Sequence, residues 1–439
     1  MLRPVRSAAV PLCLLVALLG ASCSDGGGET PSERASASSI PPSTDIPTGK
    51  LVGMQGTIPY TELPEWFRED IEEIAPALSD YSFAAEAYDS VMITALAAEL
   101  ARSDAPGRFA SEIIGVSSFG QKCSTWQICS DHSDKLGNLD YDGVSGAIEM
   151  LASGEPGEAS FAVMRFEDDD NLVRTAVKSA VAEPSFAEHE AVDPTRGPRA
   201  DGVLRLGMLL PTSGPDAQLG EAERAGIRLA VQHINDRGGV LGRPVELIDG
   251  DSGSNDLEAI DAAATLMEDG VDAILGAGRA NTTLAVLPSV TSAGIVLFSP
   301  SSTSRVFAFT DHNGLLFRLA PSDVLQGQVL AEVVASDGVT DVVVLTQQGA
   351  STEGAAEDFR LAYEAADGEI AATVRFDAES VDPAVYNAVL ATPSDGIVIF
   401  GDVEPAGALI TSLSTAGRGP EQGPYYMSNI TASLADYVN

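Results

Sequence analysis

"GVLRLGMLLPTSG", residues 202–214, reads as a first strand and the turn that ends it. Val203–Leu210 is an apolar run, and Pro211–Gly214 supplies turn residues ahead of a long helical pattern. In that pattern Ile227, Val231 and Ile234 share one helical face, and "NDRGGVLGRPV" (235–245) closes it with a glycine pair. Strand-like runs recur at Val245–Asp249, Ala273–Leu275, Ile295–Phe298 and Leu315–Leu319. They continue at Asp341–Leu345, Ile370–Phe376 and Gly396–Phe400, with helical patterns between them. This alternation predicts an α/β fold of parallel sheets with helices on both faces. An opening strand and helix therefore stand midway along a chain of 439 residues.

The bulk properties bound the rest. With 64 acidic residues against 25 basic ones, the net charge is −39. A surface so negative repels phosphate backbones and anionic headgroups, which excludes nucleic acid and direct membrane binding as functions. A hydrophobic content of 44% fits a globular chain. Residues 1–23, "MLRPVRSAAVPLCLLVALLGASC", have the two arginines, short apolar run and small residues of a targeting segment. "LLGASC" resembles a bacterial lipobox, which implies lipidation of Cys23, although Gly20 replaces the usual larger aliphatic residue. Residues 24–50 are rich in Gly, Ser, Pro and Thr, and read as a flexible tether with a reach of about 30 Å. Of the four cysteines only Cys123 and Cys129 lie beyond the targeting segment, and in an exported chain they predict a local disulfide. No metal and no cofactor is expected.

Two blocks emerge, residues 51–171 and 202–439, with 172–201 read as a linker. The first block opens on a strand-like "LVGMQGTIPY" (51–60) and carries a helix at Phe83–Arg102, with Tyr88, Val91, Met92, Ala95 and Leu96 on one face. "LDYDGVSGAIEM" and "ASFAVMRF" read as strands. By itself this block holds too few strands for a domain. Residues 204–256, "LRLGMLLPTSG…IDGDSGSND", resemble the amino-terminal part of the substrate-binding proteins of branched-chain amino-acid ABC importers. "AYDSVMITALAAEL", "KCSTWQICSDHSDKLGNLDYDGVSGAIEM" and "GEASFAVMRFEDDDN" resemble the carboxy-terminal part of the same family. The resemblance implies the two-lobed type I periplasmic-binding-protein fold, with its segments in permuted order. In that family the strand resembling "LVGMQGTIPY" follows the segment resembling "YYMSNITASLADYVN" (425–439), so residues 202–439 followed by 51–171 restore one complete protein. A swapped oligomer or an incomplete gene product are the competing accounts; a circularly permuted monomer is the expectation carried forward.

Parallel sheets bind ligands at loops beyond the carboxyl ends of their strands, and two lobes set two such edges face to face. In "GRANTT" (278–283), Asn281 or Thr282 is expected to cap the following helix and to donate to a ligand carboxylate. "SPSSTS" (299–304) offers Ser301, Ser302 and Thr303. The resemblance implies that these two loops hold the ligand carboxylate, with Asn281 standing where the family has a serine. In the second lobe the candidates are Ser351, Asp402 and Ser428. The resemblance also implies an acidic partner for a ligand ammonium near Ser428 or Asn429, where none stands. Asp402 and Glu404 are candidates to compensate.

Enzyme readings fail on their own terms. "GDSGS" (250–254) has the letters of a protease nucleophile loop, but it sits at a strand-to-helix connection with no base assembled around it. "GAGRAN" lacks the third glycine and the later acidic residue of a dinucleotide loop. His132, His189, His233 and His312 are scattered. The expectation is an extracytoplasmic, lipid-anchored solute-binding protein that closes on a small polar ligand and delivers it to an ABC permease. A sensory receptor on the same fold, or a non-binding product of gene rearrangement, are the alternatives.

Overall fold

The computed structural model describes Ile46 and residues 48–118, 120–136, 138–182, 191–214, 217–377 and 382–428. The early block runs β1 (Gln55–Pro59), α1 (Glu65–Ile74), α2 (Ala84–Ala101), α3 (Pro106–Phe109), α4 (Ile113–Val116), β2 (Gln121–Cys123) and α5 (Trp126–Leu136). It continues through β3 (Leu139–Gly143), β4 (Gly146–Ala147), β5 (Glu158–Phe166) and β6 (Leu172–Val181). The later block begins β7 (Arg205–Leu210), α6 (Ala217–Asn235), β8 (Glu246–Asp251), α7 (Asp256–Glu268), β9 (Ala273–Gly276), α8 (Ala280–Ser292), β10 (Val296–Ser299) and β11 (Leu316–Arg318). It ends with α9 (Asp323–Ser336), β12 (Asp341–Gln347), α10 (Ala350–Ala365), β13 (Glu369–Phe376), α11 (Pro383–Ala391), β14 (Gly396–Phe400), α12 (Val403–Thr415) and β15 (Tyr425–Met427). All eight strand runs expected after residue 202 are strands.

Two large sheets organise these elements, beside a small one in the order β2-β3-β4. Lobe one is a five-stranded sheet in the order β11-β10-β9-β7-β8, parallel throughout. Side chains alternate across it, as the two-residue period of a strand requires. Leu206, Met208, Leu275 and Phe298 face α2 and α6, while Leu209, Ile274 and Leu297 face α7 and α8. Lobe two is a seven-stranded sheet in the order β13-β12-β14-β15-β1-β5-β6. There Val343, Leu345, Ile397 and Ile399 face α11 and α12, while Val342, Val344 and Val398 face α9 and α10. Its β5 and β6 run antiparallel, so this lobe is mixed rather than purely parallel.

Both blocks build both lobes. In lobe two, β1 of the early block lies between β15 (parallel, Gln55 opposite Tyr426) and β5 (antiparallel). In lobe one, α2 covers the inner face of the sheet. The sequence predicts an amphipathic helix there, but every residue from Ala84 to Ala98 is buried, because α6, α5 and the sheet enclose it on all sides. Gly226 of α6 permits the closest approach: a Cβ there would lie 2.1 Å from the carbonyl oxygen of Ala84. Polar bonds also cross the seam. The Asp104 carboxylate accepts from the amides of Asp201 (2.9 Å), Gly202 (2.9 Å) and Val203 (3.2 Å), and the Gln326 amide donates to the Thr57 carbonyl (2.8 Å).

Three boundaries differ from the sequence reading. Leu172–Val181, assigned to the linker, is β6, paired along its length with β5 because its side chains complete the lobe-two edge. Residues 191–201 pack closely between the blocks, with Gly197 against Gly294 and Asp193 against Gly107. At the end of the assigned tether, Ile46 is buried against Gly407, and the Asp170 carboxylate accepts from the amides of Gly49 and Leu51. Cys23, His189 and Asn429 lie outside the described residues. Cys123 and Cys129 form the expected disulfide. Among the described residues no helix is long and apolar enough to cross a membrane.

Because α2 and α6 meet backbone to backbone at Gly226, Gly226→Val is expected to destabilise the protein by about 1–3 kcal/mol or more, through forced separation of the helices. Urea denaturation monitored by circular dichroism measures it.

Candidate functional site

The chain crosses between the lobes four times: after β1 (residues 60–64), between β4 and β5 (148–157), between β6 and β7 (182–204), and after β11 (319–322). The carboxyl ends of β7, β9, β10 and β11 share one edge of lobe one, and those of β12, β14 and β15 share one edge of lobe two. Loops from the two edges touch at one corner. There Arg305, just past the 299–304 loop, pairs with Asp358 of α10 at 2.5 Å, across the lobes.

The lobe-one candidates gather, but their hydroxyls are committed to the protein. Thr282 donates to the Ala277 carbonyl (3.0 Å) and Ser301 to the Gly278 carbonyl (2.7 Å). Ser302 bonds the hydroxyl of Thr283 at 2.9 Å, a buried partner that the sequence reading missed. The carbonyl of Thr303 accepts the Asp323 amide (2.9 Å), and its side chain stands by the buried Asp323 carboxylate and favours its charged form. Neither Asn281 nor Thr282 is a helix cap. The cap position is Arg279, so both residues fall in the first turn of α8, and the Asn281 amide turns outward to Asp256 at 3.2 Å. In lobe two, Ser351 is exposed at the start of α10, and Ser428 follows β15. Asp402 exchanges two bonds of 2.7 Å with Gln347, tying the ends of β12 and β14 together.

Arg318, almost fully buried at the end of β11, is a second residue that sequence spacing did not reveal. Its guanidinium donates to the carbonyls of Ser302 (3.2 Å) and Ser304 (2.9 Å) and pairs with Glu155 in the 148–157 crossing. One cation thus fixes the serine-rich loop to the interlobe connection. Beneath the loop lies a fully buried carboxyl, Glu223 of α6, whose oxygens accept no hydrogen bond. Ser301 is its polar neighbour, but the Ser301 proton is spent on Gly278. Burial pushes Glu223 up to about 8, and the nearby Glu86 of α2 adds to the rise. Burial likewise pushes Glu86 up to about 7, with Asp89 contributing.

A cavity of about 430 Å³ opens where three of the crossings run side by side. Tyr60, Thr61 and Glu62 line it from the first, Ile148 and Pro156 from the second, and Leu319 and Pro321 from the last. Glu86 reaches it from α2, and Gly143–Ala147 form another wall. None of the eight sequence-predicted ligand residues lines it. Among the described residues, no group of His, Cys, Asp and Glu is arranged to hold a metal ion.

Removing Arg318 would leave the Glu155 carboxylate partly buried and unpaired. Arg318→Ala is therefore expected to cost about 3–5 kcal/mol, measured by chemical denaturation. The raised carboxyls make a second prediction. Between about pH 4 and 8 the folded protein holds protons that the unfolded chain releases, so stability should fall as pH rises through that window. Glu223→Gln, which keeps the shape and removes the charge, should flatten that fall in a series of melting temperatures.

Residues 203–436 match the family model described as periplasmic binding protein. The chain is 26% identical over 245 residues to the leucine-, isoleucine-, valine-, threonine- and alanine-binding protein of Pseudomonas aeruginosa, an alignment covering 54% of this chain and 65% of that protein. It is 32% identical over 140 residues to the chemotactic signal transduction system substrate-binding protein BasB of Halobacterium salinarum, covering 30% of this chain and 34% of that one. Among solved structures it is similar to the branched-chain amino acid transporter substrate binding protein LivJ of Streptococcus pneumoniae in complex with isoleucine. That likeness has a TM-score of 0.44 and 29% identity, and covers 51% of this chain and 64% of the other. Since the family match takes in more than half of its residues, the chain belongs to the periplasmic binding protein family.

Proposed function

We propose that this protein captures a small solute between its two lobes outside the cytoplasmic membrane and hands it to an ABC permease. The observation that carries this reading is the family match over residues 203–436, on a chain whose two large sheets are joined by four crossings and bear loops at their edges. A cleft of that kind closes on a ligand by hinge motion at the crossings, burying it from water. No bond is made or broken, and the transport energy belongs to the partner ATPase. In this reading Cys23 carries the lipid and residues 24–45 hold the body off the membrane. Two acyl chains, at ~0.8 kcal/mol per buried methylene, suffice for a stable anchor.

The segment order belongs to the same proposal. The family match begins only at residue 203, yet β1, α2 and β5 of the early block complete the sheets and core of the matched region. That arrangement supports a circular permutation closed within one monomeric chain. Rebuilding the gene in the order 202–439 followed by 46–182 should then yield a monomer with the same melting temperature within a few degrees. Aggregation of that rearranged chain would count against it.

A thermal-shift screen tests solute capture. A compound present at 100 times its Kd should raise stability by about 2.7 kcal/mol. Leucine, isoleucine and valine are the first compounds to include, because the Pseudomonas relative is named for them. Thr303→Ala separates binding from folding: if Thr303 serves only Asp323, it lowers stability by about 1 kcal/mol and leaves affinity unchanged. A loss of affinity at unchanged stability would place Thr303 at the ligand. The likeness to BasB supports a second reading, in which the same cleft reports to a chemotaxis receptor. Genes for a permease and ATPase beside this one favour transport, and signalling genes favour the sensor.

A further inference from the structure

The crossover cavity has an acidic lining. Its lining includes Glu62, Glu86 and Glu158, and no Lys, Arg or His. Glu62 and Glu158 are exposed and stand at its rim. Glu86 is different: its residue is only 7% exposed, yet it lines the cavity, and among the described residues its carboxylate meets no hydrogen-bond partner beyond its own main-chain N–H. Behind it lies Glu223, fully buried with neither oxygen bonded. Two neighbouring buried carboxyls without a cation between them are costly to ionise, so they hold protons, and a cation from outside the chain would favour the charged form of Glu86.

The walls are preformed. Asp89, one turn along α2 from Glu86, accepts from the Tyr141 hydroxyl (2.6 Å), the amides of Val144 (3.1 Å) and Ser145 (2.7 Å), and the Ser145 hydroxyl (2.6 Å). That clamp holds the 143–145 turn in place, and a Cβ at Gly143 would strike the Asp89 carboxylate. Asp89 is thus spent on structure and Glu86 is not. Val144, Ile148 and Leu319 give the cavity an apolar side. Arg174 of β6 lies over the Tyr60 ring at 4.5 Å, and Arg318 is paired with Glu155; neither lines the cavity.

We propose that this cavity seats a small organic cation, an amine or guanidinium on a short hydrocarbon body, held by Glu86 at its floor with Glu62 and Glu158 at its rim. The proposal rests on the solute-binding reading and names the class of solute. A cation there would pair with Glu86 and favour its charged form, and the apolar wall would take the hydrocarbon. A carboxylate would meet carboxyl groups at the floor and the rim with no counter-charge in the lining. Because Tyr60, Pro156 and Leu319 belong to three different crossings, an occupant touches the segments about which the lobes move.

The test is calorimetric titration of the full chain with butylamine, putrescine and agmatine, set against leucine and butyrate. Binding of the cations and not of butyrate is expected, weakening as salt is raised. Glu86→Gln should weaken it about 30-fold or more, and Glu62→Gln or Glu158→Gln about 2- to 5-fold. If Glu86→Gln does not fold, as judged by its melting curve, the Glu62→Gln/Glu158→Gln double variant and the salt dependence decide. Cation binding that is indifferent to the Glu86 or rim changes overturns the seat. Leucine binding without any cation binding overturns it while leaving solute capture standing. No binding by either set overturns both.

Discussion

The fold depends on one burial. Helix α2 is buried around its whole circumference, with fifteen consecutive buried residues that are mostly apolar, and has no stable existence in water. The five-stranded sheet of lobe one presents Leu206, Met208, Leu275 and Phe298 on the face that α2 covers, and these would otherwise lie open. Each partner is incomplete without the other, although they come from opposite halves of the chain. At ~25 cal/mol per Å² of apolar surface, burial of several large side chains on each partner outweighs what any single hydrogen bond across the seam contributes. The insertion of β1 between β15 and β5 repeats the relation in lobe two, through backbone hydrogen bonds.

Chain order matters little to such a structure. Contact between α2 and the sheet is fixed by shape and polarity, and closing a loop costs more only as the logarithm of its length. The permuted order proposed above requires that the connection between β6 and β7 span the two lobes over the surface. Residues 182–204 run from β6 in lobe two to β7 in lobe one. Their end is secured where Asp104 gathers the three amides of residues 201–203. That carboxylate marks where the connection stops and the strand begins.

Much of the architecture was legible in the sequence because its signals are local. Apolar runs and i, i+4, i+7 spacing located the strands after residue 202, and Cys123 with Cys129 could be paired from compartment alone. The misreadings have physical reasons. Leu172–Val181 sets apolar and polar residues in pairs at an exposed sheet edge, so it shows neither the alternation of a half-buried strand nor the density of a buried one. Helix α2 shows an apolar stripe to a helical-wheel reading, and its remaining small residues, mostly alanine, disguise burial on every side. Asn281 and Thr282 resemble caps, but the cap of helix α8 is Arg279, two and three residues earlier. The crossover cavity had no local signal at all. Its walls come from positions near 60, 86, 145, 158 and 320, which only the tertiary structure brings together.

The hydroxyl loops and the acidic cavity divide the labour of the site differently from what sequence spacing implies. Ser301, Ser302, Thr282 and Thr283 satisfy one another and the backbone, and Arg318 fastens their loop to the interlobe connection. A network so completely bonded is rigid, and its contribution is to fix the edge of lobe one rather than to await a partner. The unspent bonding capacity lies a short step deeper, at Glu86 and Glu223, where α2 and α6 approach most closely. The helices that complete the core are therefore also the ones that bring two carboxyls together at the crossings. Stability and charge are set against each other at one interface, and any counter-ion that enters there relieves the second without disturbing the first.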